Sequence, residues 1–174
     1  MVTKAFLPLL RQYKPKDRTS RLVFISTSGI LVSNPFIGTY GASKAAIGVL
    51  AGSLRLELAS WGFDVSVVIP GPVATPILSD FDDNEVDTLL KQLKPGLHEE
   101  EVLGTYERLM RDFTKKTRVL FGYIAKKPEA STRVIESCLL ARRPKTEYDV
   151  GEFVMVVRFL SLLPVRLTDW LNSL

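Results

Sequence analysis

The sequence predicts an α/β protein built on a parallel sheet, and three observations carry that prediction. Leu22-Val-Phe-Ile25 is a short uninterrupted apolar run, a segment of helical periodicity extends from Tyr40 to Ser60, and Phe63-Asp-Val-Ser-Val-Val-Ile69 is a second β-branched run. Strand, helix and strand with short connections form a parallel βαβ unit, because such a crossover needs about a dozen residues and covers both sheet faces.

The elements follow in order. Val2 to Gln12 is a helical piece. Leu22 to Ile25, bounded by Ser20-Arg21 and by Ser26-Thr-Ser-Gly29, reads as a strand buried on both faces. Between Tyr40 and Ser60, Ile47, Leu50, Leu54 and Leu58 recur at three- and four-residue steps, the mark of an amphipathic helix, which ends near Gly62. The run from Phe63 stops at Pro70-Gly-Pro72, since proline cannot continue a ladder. Asp82 to Lys127 is a polar, mostly helical excursion interrupted by Pro95-Gly96, Pro128 to Ala141 is another helix, and Glu147-Tyr-Asp-Val-Gly151 is a last short strand. A strand apolar on both faces belongs inside a sheet, yet only a helical piece precedes Leu22. Exposed apolar edges are an aggregation hazard, so the expectation is an incomplete sheet whose first strands are missing.

Composition narrows the function classes. The 174 residues, 46% hydrophobic and 24% charged, suit one globular domain over 1–174. The single cysteine, Cys138, excludes an internal disulfide, fits a reducing compartment and reads as core. The net charge of +4 gathers in Arg108 to Lys127 and Arg142-Arg-Pro-Lys145, neither of which has a nucleic-acid-reading pattern. His98 has no second ligand at metal spacing, so no metal site is expected. The first ten residues, interrupted by Pro8, are no secretory signal. In the apolar tail, Glu152, Arg158, Arg166 and Asp169 leave far fewer than the roughly 18 uncharged residues of a span. The tail either rests on a membrane as an amphipathic helix or closes an apolar pocket, and the protein is expected to be intracellular, cytoplasmic or membrane-associated.

Tyr40-Gly-Ala-Ser-Lys44 sets a phenol and an ammonium at i and i+4, neighbours on one helix face. A phenol is a poor base at neutral pH, but a nearby ammonium favours the phenolate, and such a pair can move a proton at an alcohol or carbonyl oxygen. Tyr123-Ile-Ala-Lys-Lys127 repeats the spacing, but it stands in the polar excursion directly before Pro128. Tyr40 opens its helix one loop after a strand ending in three hydroxyls, Ser26, Thr27 and Ser28, and ligands of parallel α/β sheets sit at that end.

Ile25-Ser-Thr-Ser-Gly29, Tyr40-Gly-Ala-Ser-Lys-Ala-Ala46 and Pro70-Gly-Pro-Val-Ala-Thr75, in this order, resemble the last three signature motifs of the short-chain dehydrogenases/reductases. The resemblance covers nearly the whole chain, and its ending is similar to that of retinol- and hydroxysteroid-dehydrogenase-like members. It implies a Rossmann-like doubly wound sheet, NAD or NADP as cofactor, a small apolar alcohol or ketone as substrate, and 76–127 as the substrate-binding excursion. Residue by residue, it implies Tyr40 as the general acid/base, Lys44 as the group that assists Tyr40 and bonds the nicotinamide ribose, and a strand-end hydroxyl on the substrate oxygen. Pro70, Gly71, Val73 and Thr75 join Tyr40 and Lys44 in the implied cofactor site, Gly71 by close backbone approach and Thr75 through the carboxamide. Counting from Gly29 selects Ser26 as the hydroxyl; aligning the strand without gaps selects Thr27; Ser26 is favoured and Ser28 stands third. Gly48 and Gly52 suit close helix packing, and the family's matching helix often meets its copy in a second subunit, so a homo-oligomer is expected. No G-x-G-x-x-G turn occurs in the 174 residues, and no counterpart of the family's proton-relaying asparagine is present. These residues alone are therefore expected to be inactive.

Overall fold

The computed structural model describes residues 2–13, 19–76, 83–93 and 100–173. They divide into two compact units, one of residues 1–71 with 129–174 and one of residues 72–128.

The first unit is an α/β layer structure. Helix α1 (Val2–Gln12) leads to strand β1 (Ser20–Ile25), helix α2 (Gly38–Leu58), strand β2 (Phe63–Pro70), helix α5 (Pro128–Leu140), strand β3 (Glu147–Val150) and helices α6 (Glu152–Leu160) and α7 (Val165–Ser173). The three strands are parallel in the order β1-β2-β3, with Leu22 opposite Val65, Phe24 opposite Val67 and Val68 opposite Tyr148. Alternation along a strand assigns the faces. Val65, Val67 and Ile69 form one core with Ala51 of α2 and Val154 of α6, and Leu22, Phe24 and Leu54 pack against it. Helix α2 turns into a 3-10 turn at Ala59–Trp61 and stops at Gly62, whose left-handed φ of 74° suits a residue without Cβ.

Arg21, on the other side of β1 from Leu22, reaches the end of α5. Its guanidinium donates to the carbonyls of Cys138 at 2.6 Å, Leu139 and Ala141, the groups a helix leaves unpaired at its C-terminus. Cys138 is fully buried, in keeping with its reading as core. Arg158 of α6 bonds Asp149 at 2.8 Å and Glu147 at 2.6 Å, which ties that helix to β3; these bonds, that to Asp149 first, raise its pKa above that of an ordinary guanidinium.

The central strand β2 is buried almost throughout, as its apolar sequence requires, whereas β1 is half-buried and Ile25 at its end is 40% exposed. The expectation that β1 is covered on both faces is corrected, and the reason is topological. Among the described residues β1 has a strand partner on one side alone.

The second unit contains helices α3 (Asp83–Leu93) and α4 (Glu100–Ile124). They pack through buried Val86, Leu90, Met110 and Thr114, and Arg111 bridges Asp87 at 2.6 Å and Glu107 at 2.8 Å. The expected break at Pro95-Gly96, and His98, lie outside the described residues.

Candidate functional site

The carboxyl end of β1 and the start of α2 form the site. Ser26 extends the ladder one residue past β1, its N–H donating to Val68 O at 2.9 Å. This leaves its side chain 2% exposed, and the hydroxyl donates to the backbone carbonyl of Lys44 at 3.1 Å. The ammonium of Lys44 donates to the carbonyl of Ile25 at 3.4 Å. Lys44 is thus held at both ends, its carbonyl by Ser26 and its Nζ by Ile25. Thr27, in extended conformation (φ −158°, ψ 152°), opens a 3-10 turn at Ser28–Ile30, and its Oγ1 accepts from Gly29 N at 3.3 Å. Ser28 is buried within that turn.

Phe36 takes a left-handed φ of 65°, unusual for a side chain of that size, and α2 opens two residues later. The cap residue Ile37 offers no side-chain acceptor, but its carbonyl receives Gly41 N at 2.8 Å, and Ser43 Oγ donates to Tyr40 O at 2.7 Å. Lys44 Nζ sits 5.9 Å from the Tyr40 ring centroid, so the i and i+4 residues do share one helix face. Tyr40 itself is 48% exposed, which leaves its hydroxyl open to a ligand.

Pro70 ends β2 next to β1. Gly71 donates to Val150 O at 3.1 Å, and a Cβ there would lie 3.4 Å from both that oxygen and Val154 Cγ2. A side chain here would pack closely against β3 and α6. Val73 and Thr75 belong to the second unit, where Val73 forms a parallel bridge with Lys126 and Thr75 Oγ1 donates to Val73 O at 3.4 Å. The rival pair loses its geometry: α4 ends at Ile124, so Lys127 is not one helical turn beyond Tyr123. The role of the Ile25 carbonyl was not legible in the sequence, since every residue carries such a group and only the fold aims it. Among the described residues no three His, Cys, Asp or Glu side chains gather as metal ligands, and no helix is long and apolar enough to cross a membrane.

A parallel α/β unit with a tyrosine and a lysine on one helix face at the carboxyl end of its strands defines a Rossmann-like protein with a Tyr-Lys pair. Comparison with known proteins agrees. The family model described as short chain dehydrogenase matches residues 1–86. Human 17-beta-hydroxysteroid dehydrogenase type 2 is 30% identical over 172 residues, 97% of this chain and 42% of that protein. Mouse retinol dehydrogenase 5 is 30% identical over 175 residues, 97% of this chain and 51% of that protein. The crystal structure of a short-chain dehydrogenase from Streptomyces avermitilis superposes with a TM-score of 0.62 at 21% identity, over 99% of this chain and 56% of that one, and so shares the fold. The chain belongs to the short-chain dehydrogenase family, and it spans about half the length of the curated relatives it matches.

Proposed function

We propose that this chain carries the proton-transfer half of an NAD- or NADP-dependent oxidoreductase interconverting a secondary alcohol and a ketone on an apolar, steroid- or retinoid-like substrate. The observation that carries the proposal is the Tyr40-Lys44 pair, with Lys44 anchored to the carboxyl end of β1 through Ile25 O and Ser26 Oγ. The substrate class follows the names of the hydroxysteroid and retinol dehydrogenases among its relatives.

In this reading Tyr40, with its half-exposed phenol, gives or takes the proton at the substrate oxygen. An ammonium has three donors; Lys44 spends one on Ile25 O and keeps two for ribose hydroxyls. A strand-end hydroxyl orients the substrate. These residues, with Pro70 and side-chain-free Gly71 at the end of β2, fit the nicotinamide end of such a cofactor. The 174 residues hold no glycine-rich turn for its pyrophosphate. When bound, the dinucleotide supplies or accepts the hydride. The test is oxidation of a panel of apolar secondary alcohols by the gene product as its cell makes it. Turnover with NAD or NADP is expected, and a folded protein inert toward the whole panel would sink the proposal.

A second reading, a non-catalytic product that binds a partner through its sheet edge, is favoured by the side of β1 that pairs with no strand among the described residues. The same assay separates the two.

A further inference from the structure

We propose that the amino-terminal end of the sheet, opposite the Tyr40 end, is a docking face for an anionic phospholipid surface. Arg142, Arg143 and Lys145 supply its cations, and Leu139, Leu140, Phe159 and Leu162 its apolar contacts. The topology brings these residues to one end of the first unit. Arg21, the second residue of β1, holds the carbonyls of Cys138 at 2.6 Å, Leu139 and Ala141, so α5 ends beside the start of β1. The loop that follows leads into β3 and is fixed to β2, with Ser66 Oγ donating to Lys145 O at 2.7 Å and Val67 N to Thr146 O at 2.9 Å. Helix α6 runs back along β3: Val154 lies beside Gly71 and Val150 at the carboxyl end, and one turn later Arg158 reaches Glu147, the first residue of β3, at 2.6 Å. Phe159 to Leu162 are therefore level with the amino end of β3. Arg21 and Leu22 point to opposite faces of the sheet, and α6 shares the core of Leu22, so α5 and α6 flank the basic loop from the two faces.

Charge selects the occupant. The segment from Ser137 to Thr146 holds three cations and no carboxylate. Arg142, Arg143 and Lys145 are all exposed, and among the described residues their side chains pair with no acid. The neighbouring acids are already engaged: Glu147 and Asp149 bond Arg158, and Asp64 accepts from the Thr19 hydroxyl. Beside these cations Leu139, Leu140, Phe159 and Leu162 are left in water. Cations alone would suit any polyanion. Large apolar side chains next to them suit an interface that offers phosphate at its surface and acyl chains beneath, where burial of apolar area and attraction to the surface charge act together. An apolar tail by itself would not discriminate among headgroups, whereas this face does. The inference is independent of the oxidoreductase reading, because none of its residues belongs to the Tyr40-Lys44 site.

Flotation of the 174-residue chain with vesicles in a density gradient tests this, since self-associated protein does not rise without lipid. The chain should float with phosphatidylcholine vesicles that contain phosphatidylserine, and bind phosphatidylcholine alone at least roughly tenfold more weakly. Raising the salt from about 0.1 M to about 1 M, which shortens the screening length from about 10 Å to about 3 Å, should abolish the difference between the two lipids. Arg142→Ser with Arg143→Ser and Lys145→Ser should weaken binding to the anionic vesicles by roughly 10²-fold. Arg108→Ser with Lys115→Ser and Lys127→Ser removes the same charge from exposed cations of the second unit, and should leave binding within about threefold of the unaltered chain. A chain that fails to float with the anionic vesicles, or floats equally with the neutral ones, would overturn the proposal; the second result would assign the face to apolar partition alone. Equal losses in the two triple variants would overturn it as well, by assigning the attraction to net charge. If the loop variant does not fold, the lipid and salt series on the unaltered chain decide alone.

Discussion

The ammonium of Lys44 sits 5.9 Å from the centre of the Tyr40 ring, on the same face of α2. Tyr40 is 48% exposed and Lys44 is half-buried. The pair is thus placed for proton transfer to a ligand rather than for packing.

Replacement of the phenol tests that placement. In the gene product Tyr40→Phe should cost about 10² to 10⁴-fold in kcat with little change in dinucleotide affinity, the range general acid/base groups contribute. Tyr123→Phe, at a ring 86% exposed at the end of α4, should be silent. Steady-state kinetics beside cofactor titration decide the matter, and equal effects of the two substitutions would remove Tyr40 from its role.

The contact between β1 and the end of α5 makes a separate prediction about stability. Arg21 satisfies the carbonyls of Cys138, Leu139 and Ala141, which lack helical donors once α5 has ended at Leu140. Arg21→Met keeps much of the side-chain stem but deletes these charged bonds. A hydrogen bond to a charged group contributes about 1.5 to 3 kcal/mol, so a loss of roughly 2 kcal/mol is expected. Urea denaturation of the chain measures it, and an unchanged midpoint would show that water replaces the guanidinium at no cost.

Much of this layout was legible because its signals are local. Val65, Val67 and Val68 announce a buried strand, and Tyr40 to Leu58 carries the helical period. What escaped was set by neighbours. The sequence of β1 is as apolar as that of β2, yet Ile25 is 40% exposed, because burial of a strand depends on which strands flank it and not on its own residues. The choice among Ser26, Thr27 and Ser28 rests on counting along a loop. Side-chain direction alternates along an extended chain, so adjacent hydroxyls point to opposite sides, and a count uncertain by one residue cannot separate them.

The tail yields a prediction through its exposed face. Val154 and Val157 of α6 are buried, while Met155, Phe159, Leu162 and Val165 on α6, α7 and the turn between them are 69%, 65%, 81% and 72% exposed. Apolar area of that kind partitions into a bilayer interface at about 25 cal/mol per Å². Phe159→Ser with Leu162→Ser should therefore weaken sedimentation with phospholipid vesicles by at least roughly tenfold. No sedimentation of the unaltered chain would assign the face to closing a pocket instead.

The last prediction concerns the 174 residues by themselves. The Tyr40-Lys44 end of the site is present, and Lys44 is already fixed by Ile25 and Ser26, so the nicotinamide end needs little rearrangement. Affinity for a dinucleotide, however, comes largely from its pyrophosphate, which this family of folds holds on a glycine-rich turn and a helix N-terminus. None of the eleven glycines forms such a motif. Without it the oriented binding that can contribute about 7 to 11 kcal/mol to barrier lowering is forfeited, and a well-placed Tyr40 acts on nothing. The half-exposed β1 adds a second consequence, since its side without a strand partner among the described residues offers backbone groups and apolar side chains to any other chain. The isolated polypeptide is accordingly expected to associate with itself and to bind neither NADH nor NADPH at sub-millimolar concentration. Titration calorimetry on the monomer fraction tests the second statement and light scattering the first. A saturable micromolar affinity would show that Tyr40, Lys44 and the turn after β2 suffice to hold the cofactor, and that the pyrophosphate contact is dispensable in this chain.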